Sequence, residues 1–279
     1  MKPKISVMIF TLNEEIHLPV CLAYLQWCDD IIVIDSFSTD GTEEICRLSE
    51  TRFFQHRFEG FGKQRNWAIE NTHPENDWIL ILDADERVPP MLACEIINTI
   101  QNAPDNVGAY CLKRRFYMWG KWLRYSGLYP SRVVRLIHKN KVRYINRGHA
   151  ETQEVNGKVL ELKHDLIDEN LKGIDEWFAR QNRYSAEEAK YELLDEALIN
   201  KGTELFSPDP LIRRAALKSL AKYIPGRPLW YFFYSYIFRL GFLDGRDGFV
   251  FCIMKTIYQA MIMTKKYDIR RGPQYPDVV

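Results

Sequence analysis

The fold is decided by "WILILDADERV", Trp78 to Val88. Five apolar residues, Trp78 to Leu82, run straight into Asp83, and Asp85 and Glu86 follow closely. An unbroken apolar run of this length predicts a strand covered on both faces. A strand of that kind can end in acids only where it leaves the core, at a place that tolerates negative charge.

The same design occurs twice upstream. "ISVMIF" (Ile5 to Phe10) leads into Thr11, Asn13 and Glu14, and "DIIVID" ends at Asp35. Between these runs lie helical patterns. "EEIHLPVCLAYL" places Leu18, Leu22 and Leu25 on one face, and "TEEICRLSE" opens with Thr42 and two acids, as a helix start should. A weaker strand, "RFFQHRF", and a helix, "GKQRNWAIENT", complete this half. Apolar strands alternating with helices predict an α/β fold with a mostly parallel, Rossmann-like sheet and helices on both faces. Ligands of such sheets sit beyond the carboxyl ends of the strands, so these polar residues are expected to converge on one edge. Any one aspartate there also has a plainer reading, as a cap of the following turn. Asp83 and Asp85 together are harder to dismiss: two residues apart, they can be directed to one ion by a local bend. Carboxylates are hard oxygen ligands suited to Mg²⁺ or Mn²⁺.

"TLNEE", "VIDSFSTDGT", "KQRN" and "ILDADE", in that order and spacing, resemble the donor-binding half of family 2 glycosyltransferases with the GT-A fold. The later "RGHAE" and "KH" segments resemble, more loosely, the lipopolysaccharide inner-core glucosyltransferase branch. The resemblance implies a UDP-sugar donor. Asp35 would accept the uracil N–H, and Thr11, Asn13 and Glu14 would line base and ribose. Arg65 would approach the diphosphate, Asp83 the ribose or metal side, and Asp85 would bind a Mg²⁺ or Mn²⁺ that stabilises the departing nucleoside diphosphate. It further implies inversion, with Glu151 rather than Glu154 as the base, and His164 as a second metal ligand. His149 would orient Glu151 or touch the acceptor. Each has a plainer reading: a surface glutamate, or a histidine satisfied by packing.

From Val107 to Leu162 the pattern is strand-like: "VGAYCLKRRFYM", "SRVVRLIHK", "KVRYIN" and "KVLELKH". Lys113 to Arg147 holds eleven Lys and Arg and no Asp or Glu. With Arg114, Arg115, Trp119, Trp122, Arg132 and Arg135 it combines guanidinium forks for phosphate with aromatic faces for sugar rings. An anionic acceptor is therefore expected: a lipopolysaccharide core, or a lipid-linked saccharide or glycolipid. A generic solvated basic face is the bland alternative. No nucleic-acid reader motif appears, so nucleic acid is not expected as a partner.

A long helix is expected from Gly173 to about Asn200, and another starting at Asp209 with Pro210 in its first turn. The last stretch, Pro225 to Tyr267, is dense in aromatics and methionine. Its apolar runs are interrupted by Arg239 and Lys255 and flanked by Arg213, Arg214, Lys218 and Lys222. They are too short to span a bilayer, but helices of this kind can lie in a membrane interface. The expected organisation is a catalytic region, 1–205, with a donor half to about 106, and a helical C-terminal extension, 206–279.

The chain has 279 residues and a formal net charge of +1, so it is no polyanion binder as a whole. Six scattered cysteines without a C-x-x-C pair favour reduced thiols, and a cytoplasmic protein peripheral to the cytoplasmic membrane is expected. Neither G-x-G-x-x-G nor G-x-x-x-x-G-K-[ST] occurs, which disfavours a dehydrogenase and a P-loop ATPase. A sugar nucleotidyltransferase and an inactive membrane-associated scaffold with the same fold remain the alternatives.

Overall fold

The computed structural model describes residues 3–147, 150–198 and 226–272, with backbone alone at 146–147, 150–151 and 195–198. His149, the side chain of Glu151 and the expected helix start at Asp209 lie outside this description. The chain divides into two compact units, Met1–Gly173 and Ile174–Val279. The long helix from Gly173 falls in the second unit.

In the first unit, β1 (Ile5–Thr11) lies between β2 (Asp30–Asp35) and β4 (Trp78–Asp83), both parallel to it, and β3 (Arg52–Gln55) extends the sheet beyond β2. The register sets Thr11 opposite Asp35 and Phe10 opposite Asp83, so the acid-bearing ends share one edge. The other half is mixed. β8 (Ser131–His138) runs antiparallel between β4 and β6 (Val107–Met118), and β7 (Lys121–Trp122) pairs with the end of β6. β11 (Lys158–Glu169) runs parallel to β6, and β5 (Glu86–Arg87) closes the sheet antiparallel to it.

Alternation along β1 builds two cores. Ile5, Val7 and Ile9 pack with Leu18 and Cys21 of α1 (Leu18–Ala23), Cys46 of α2 (Thr42–Leu48) and Leu92, Ala93 and Ile96 of α4 (Pro90–Gln101). Met8, with Ile32, Ile34, Ile79 and Ile81, packs against Ala68 of α3 (Phe61–Asn71) and against Val142 and Tyr144 of β9. β9 (Val142–Arg147) and β10 (Ala150–Val155) form an antiparallel hairpin apart from the main sheet. Leu80, Ile81 and Leu82 are fully buried, each contributing roughly 1.5–3 kcal/mol. That burial anchors the strand whose end carries the acids.

β11 bulges between Glu161 and Asp165. The bulge turns two backbone N–H groups, of Lys163 and His164, to the Glu95 carboxylate of α4, at 2.8 and 2.9 Å. The ladder's lost partners are thereby replaced by a charged acceptor.

The second unit contains α5 (Gly173–Leu198), α6 (Arg227–Phe233), a π turn (Tyr234–Phe238), a 3₁₀ turn (Gly241–Asp244) and α7 (Gly245–Arg271). Glu192 of α5, 1% exposed, accepts at both carboxylate oxygens from one guanidinium nitrogen of Arg227 (Nη1), each at 2.9 Å, and from Lys266 Nζ at 3.0 Å. One buried acid thus ties three helices. Many large apolar residues of this unit stay exposed, among them Phe238 at 75% and Trp230 at 59%.

Candidate active site

Asp35, at the end of β2, is fully buried. Its carboxylate accepts from Thr11 Oγ1 (2.9 Å), Ser38 N (2.8 Å), Ser38 Oγ and Gln55 Nε2 (3.4 Å). Two carboxylate oxygens offer about four lone-pair sites, so the chain itself saturates this group. In this arrangement Asp35 also shapes the loop after β2. Asn13 takes a left-handed backbone (φ 56°), accepting from Thr39 N at 2.7 Å and donating its own N–H to Ser38 Oγ at 2.7 Å. Glu14 accepts from Lys172 Nζ at 2.6 Å and from His17 Nδ1 at 2.6 Å. His17 Nε2 accepts from Leu171 N at 2.6 Å, which fixes the ring proton on Nδ1. Three separate stretches are thus laced together: 11–17, 35–42 and 170–172.

Beside them runs an alternating series of acids and arginines. Arg65 NH2 reaches Asp83 Oδ1 at 3.3 Å. Arg135, with its side chain 4% exposed, donates to Asp83 Oδ2 and to Glu86 Oε1, the latter at 2.7 Å. Arg114 lies 3.7 Å from Glu86 and 3.1 Å from Asp168 Oδ2. Burial works to raise the Asp83 carboxyl, but the Arg135 and Arg65 guanidinium groups outweigh it and hold Asp83 well below the usual carboxylate range. Burial pushes Glu86 up. Burial and then the charge of Asp85 push Asp168 up to about 8. Arg114 and Arg135 therefore belong to this internal series of ion pairs.

Asp85 is half-buried, accepts from Asn170 Nδ2 at 3.3 Å, and is followed by the short β5–β11 pairing that sets Glu86 opposite Asp168. Among the described residues no cluster of three or more His, Cys, Asp or Glu converges as a ready-made metal centre. The bulge hands the Nδ1 of His164 to Glu95 Oε2 at 2.8 Å. The β11 residue beside the D-x-D turn is Asp168. Asp85 and Asp168, close enough for the charge of Asp85 to act on Asp168, are hard carboxylates of the kind that fits a divalent cation sharing its remaining positions with phosphate oxygens and water.

On the other side of Arg65 stands the β9–β10 hairpin. Asn66 clamps it to α3, donating to Tyr144 O at 2.8 Å and accepting from Tyr144 N at 2.9 Å. Arg65 lies between the rings of Tyr144 and Phe10, 5.5 and 5.7 Å from their centroids. Glu151 pairs with Asn146 along the same hairpin.

The basic segment is largely neutralised by acids from elsewhere in the sequence. Arg115 donates to Asp165 at 2.7 Å and lies 4.8 Å above the Trp122 ring, Arg132 donates to Glu161 at 2.8 Å, and Lys139 meets Asp77 at 3.1 Å. Trp119, at a left-handed position in the β6–β7 turn, remains 47% exposed. Sequence spacing singled out neither Asp168, Asn66 nor Tyr144. Asn66 was legible only as a neighbour of Arg65, and the pairing that brings Asp168 to Glu86 leaves no local signature.

Residues 6–158 match the profile described as Glycosyl transferase family 2. The lipopolysaccharide core biosynthesis glycosyltransferase LpsC of Rhizobium meliloti is 29% identical over 205 residues, 66% of this chain and 71% of that protein. An uncharacterized glycosyltransferase of Rickettsia bellii is 28% identical over 260 residues, 88% of this chain and 80% of its own length. Among solved structures, glucosyl-3-phosphoglycerate synthase from Mycobacterium tuberculosis, in complex with Mn²⁺, UDP-glucose and phosphoglyceric acid, aligns with a TM-score of 0.45 and 16% identity, covering 68% of this chain and 78% of that one.

Proposed function

The chain belongs to glycosyl transferase family 2, and on that footing we propose that it moves a hexose from a UDP-sugar to an anionic glycan or glycolipid, with inversion. The observation that carries this reading is the meeting of Asp83, Asp85 and Asp168 with Arg65 at the carboxyl edge of the sheet. Asp85 and Asp168 would hold Mg²⁺ or Mn²⁺. When bound, the cation supplies charge stabilisation for the leaving diphosphate. Arg65, kept in place by Asp83 and two aromatic rings, faces the same charge. Glu151 takes the proton of the attacking acceptor hydroxyl.

The acceptor is read as a lipopolysaccharide core or a related lipid-linked saccharide. Support comes from the similarity to LpsC, from Trp119 exposed on its turn, and from Arg115 and Arg132, whose side chains are 41% and 52% exposed. The place of action is read as the cytoplasmic face of the membrane. Residues 227–243 carry two arginines, no acid and several exposed aromatics, a composition suited to the interface of an anionic bilayer. Among the described residues no helix is long and apolar enough to cross a membrane.

The test is a panel of UDP-sugars with purified protein and Mn²⁺ or Mg²⁺, following UDP release with and without lipopolysaccharide core acceptor. Calorimetry of UDP binding is run beside it, with and without the cation. Acceptor-dependent UDP release by one sugar nucleotide is expected. Release of pyrophosphate would overturn the transferase reading, and metal-independent UDP binding would remove the cation from it.

A further inference from the structure

Tyr144 presents a chemical problem that the proposed roles leave unsolved. Its side chain is buried, with the residue 3% exposed, yet among the described residues its hydroxyl has no hydrogen-bond partner. A buried hydroxyl without a partner carries a desolvation cost, and native proteins rarely keep one without a use. The surroundings are not apolar. The Tyr144 ring lies 5.5 Å from the Arg65 guanidinium, and the charges of Arg65, Arg135 and Asp83 all act on the hydroxyl. A second orphan, Arg135 Nε, belongs to the guanidinium that holds Asp83. Two buried donors thus lack acceptors beside the Arg65 and Arg135 guanidinium groups that hold Asp83.

The backbone of Tyr144 is also held with unusual care. Asn66 uses both ends of its amide on the N–H and C=O of this one residue. A strand residue in a two-stranded hairpin needs no such clamp for packing alone, since Val142 and Tyr144 already sit in the core. The clamp fixes where the ring, and hence the hydroxyl, can stand. Burial pushes the hydroxyl pKa up, so the group is a protonated donor at neutral pH.

We propose that Tyr144 is a substrate-binding residue whose hydroxyl donates to an oxygen of the bound UDP-sugar beside Asp83, with Asn66 as its positioning residue. This rests on the UDP-sugar reading and adds to it a contact on the acceptor-side hairpin. The oxygen belongs either to the diphosphate or to the transferred hexose, and the experiment separates the two.

Tyr144→Phe keeps the ring, its packing on Arg65 and the Asn66 clamp while deleting only the hydroxyl. Thermal melting without ligand, calorimetric affinity for UDP and for the active UDP-sugar, and kcat and KM are measured for both proteins. The variant is expected to melt roughly 2 °C or more above wild type, because an unsatisfied buried group has gone. Its kcat/KM is expected to fall about 10-fold. Weaker binding of UDP-sugar with unchanged UDP affinity assigns the oxygen to the hexose, and weaker binding of both assigns it to the diphosphate. Unchanged affinities and kinetics, as for a hydroxyl served by an ordered water only, would overturn the proposal. So would a lower melting temperature, which would reveal a structural partner. A wild-type protein that binds no UDP would defeat the donor reading and this proposal together. One that binds, while the variant equals it, defeats Tyr144 alone.

Discussion

The two aspartates of the D-x-D turn have unlike surroundings although one residue separates them. Asp83 is claimed by Arg65 and Arg135, whereas Asp85 accepts from the Asn170 amide and its charge acts on Asp168. The sequence made both legible as sheet-edge acids but could not apportion them, because their partners come from α3, β8 and β11. His164 shows the same limit: its local motif is plain, and only the β11 bulge decides that it serves Glu95. Burial opposes the charge on Glu95, but the N–H groups of Lys163 and His164 and the His164 ring outweigh it and lower the carboxyl pKa. A depressed pKa stabilises the fold above the ordinary value of 4.5, and the contribution disappears as pH falls through the lowered value. Glu95→Gln should therefore cost about 1.5–3 kcal/mol at pH 7. Urea melts taken from pH 7 down to about pH 3 should show the gap to wild type closing. Glu151→Gln should keep UDP affinity and lose ~10²–10⁴ in kcat. Near-normal turnover would remove it from the role of base.

At the scale of elements, hydrophobic patterning reported β1, β2 and β4 faithfully because each is an unbroken apolar run buried in the sheet. It overextended α1, which starts at Leu18 and not at Glu14. Asn13 is left-handed and residues 14–17 form a turn that serves His17 and Lys172. The basic block from Lys113 to Arg147 was read as a free cationic face. Strand pairing changes that, since β11 runs beside β6 and brings Glu161, Asp165 and Asp168 to it. Charge that looks unbalanced along a chain can be balanced across a sheet. Asn66 clamps the hairpin to α3 at Tyr144, so Asn66→Ala should lower kcat by about 10-fold or more, in line with the cost of a small misplacement. UDP affinity should fall only as far as it does in Tyr144→Phe. Steady-state kinetics beside calorimetry checks the split. In the second unit, Glu192→Gln leaves Arg227 and Lys266 with an uncharged partner in a buried site. A loss of about 3–5 kcal/mol is expected, read from the unfolding of α5, α6 and α7 by circular dichroism.

For the molecule as a whole, the two units differ in what they hide. The first buries two apolar cores on either face of one sheet, while the second leaves a run of aromatics exposed between Trp230 and Phe242. An exposed patch of that kind marks a surface with a partner. Flotation with vesicles rich in anionic lipid should carry the full-length protein to the top of a gradient. Neutral vesicles, or the double substitution Trp230→Glu and Phe238→Glu, should leave it at the bottom. A wild-type chain that ignores both kinds of vesicle would end the membrane assignment without touching the donor site. The cysteines add a practical consequence. Cys21, Cys28, Cys46 and Cys252 are buried and Cys111 is half-buried, which leaves Cys94 on α4 as the exposed thiol among the described residues. Burial pushes Cys28 up to about 12 and Cys46 up to about 11. A maleimide dye at neutral pH should therefore mark the native enzyme at one helix, next to the glutamate that braces the β11 bulge, giving a fluorescent reporter without any engineered site.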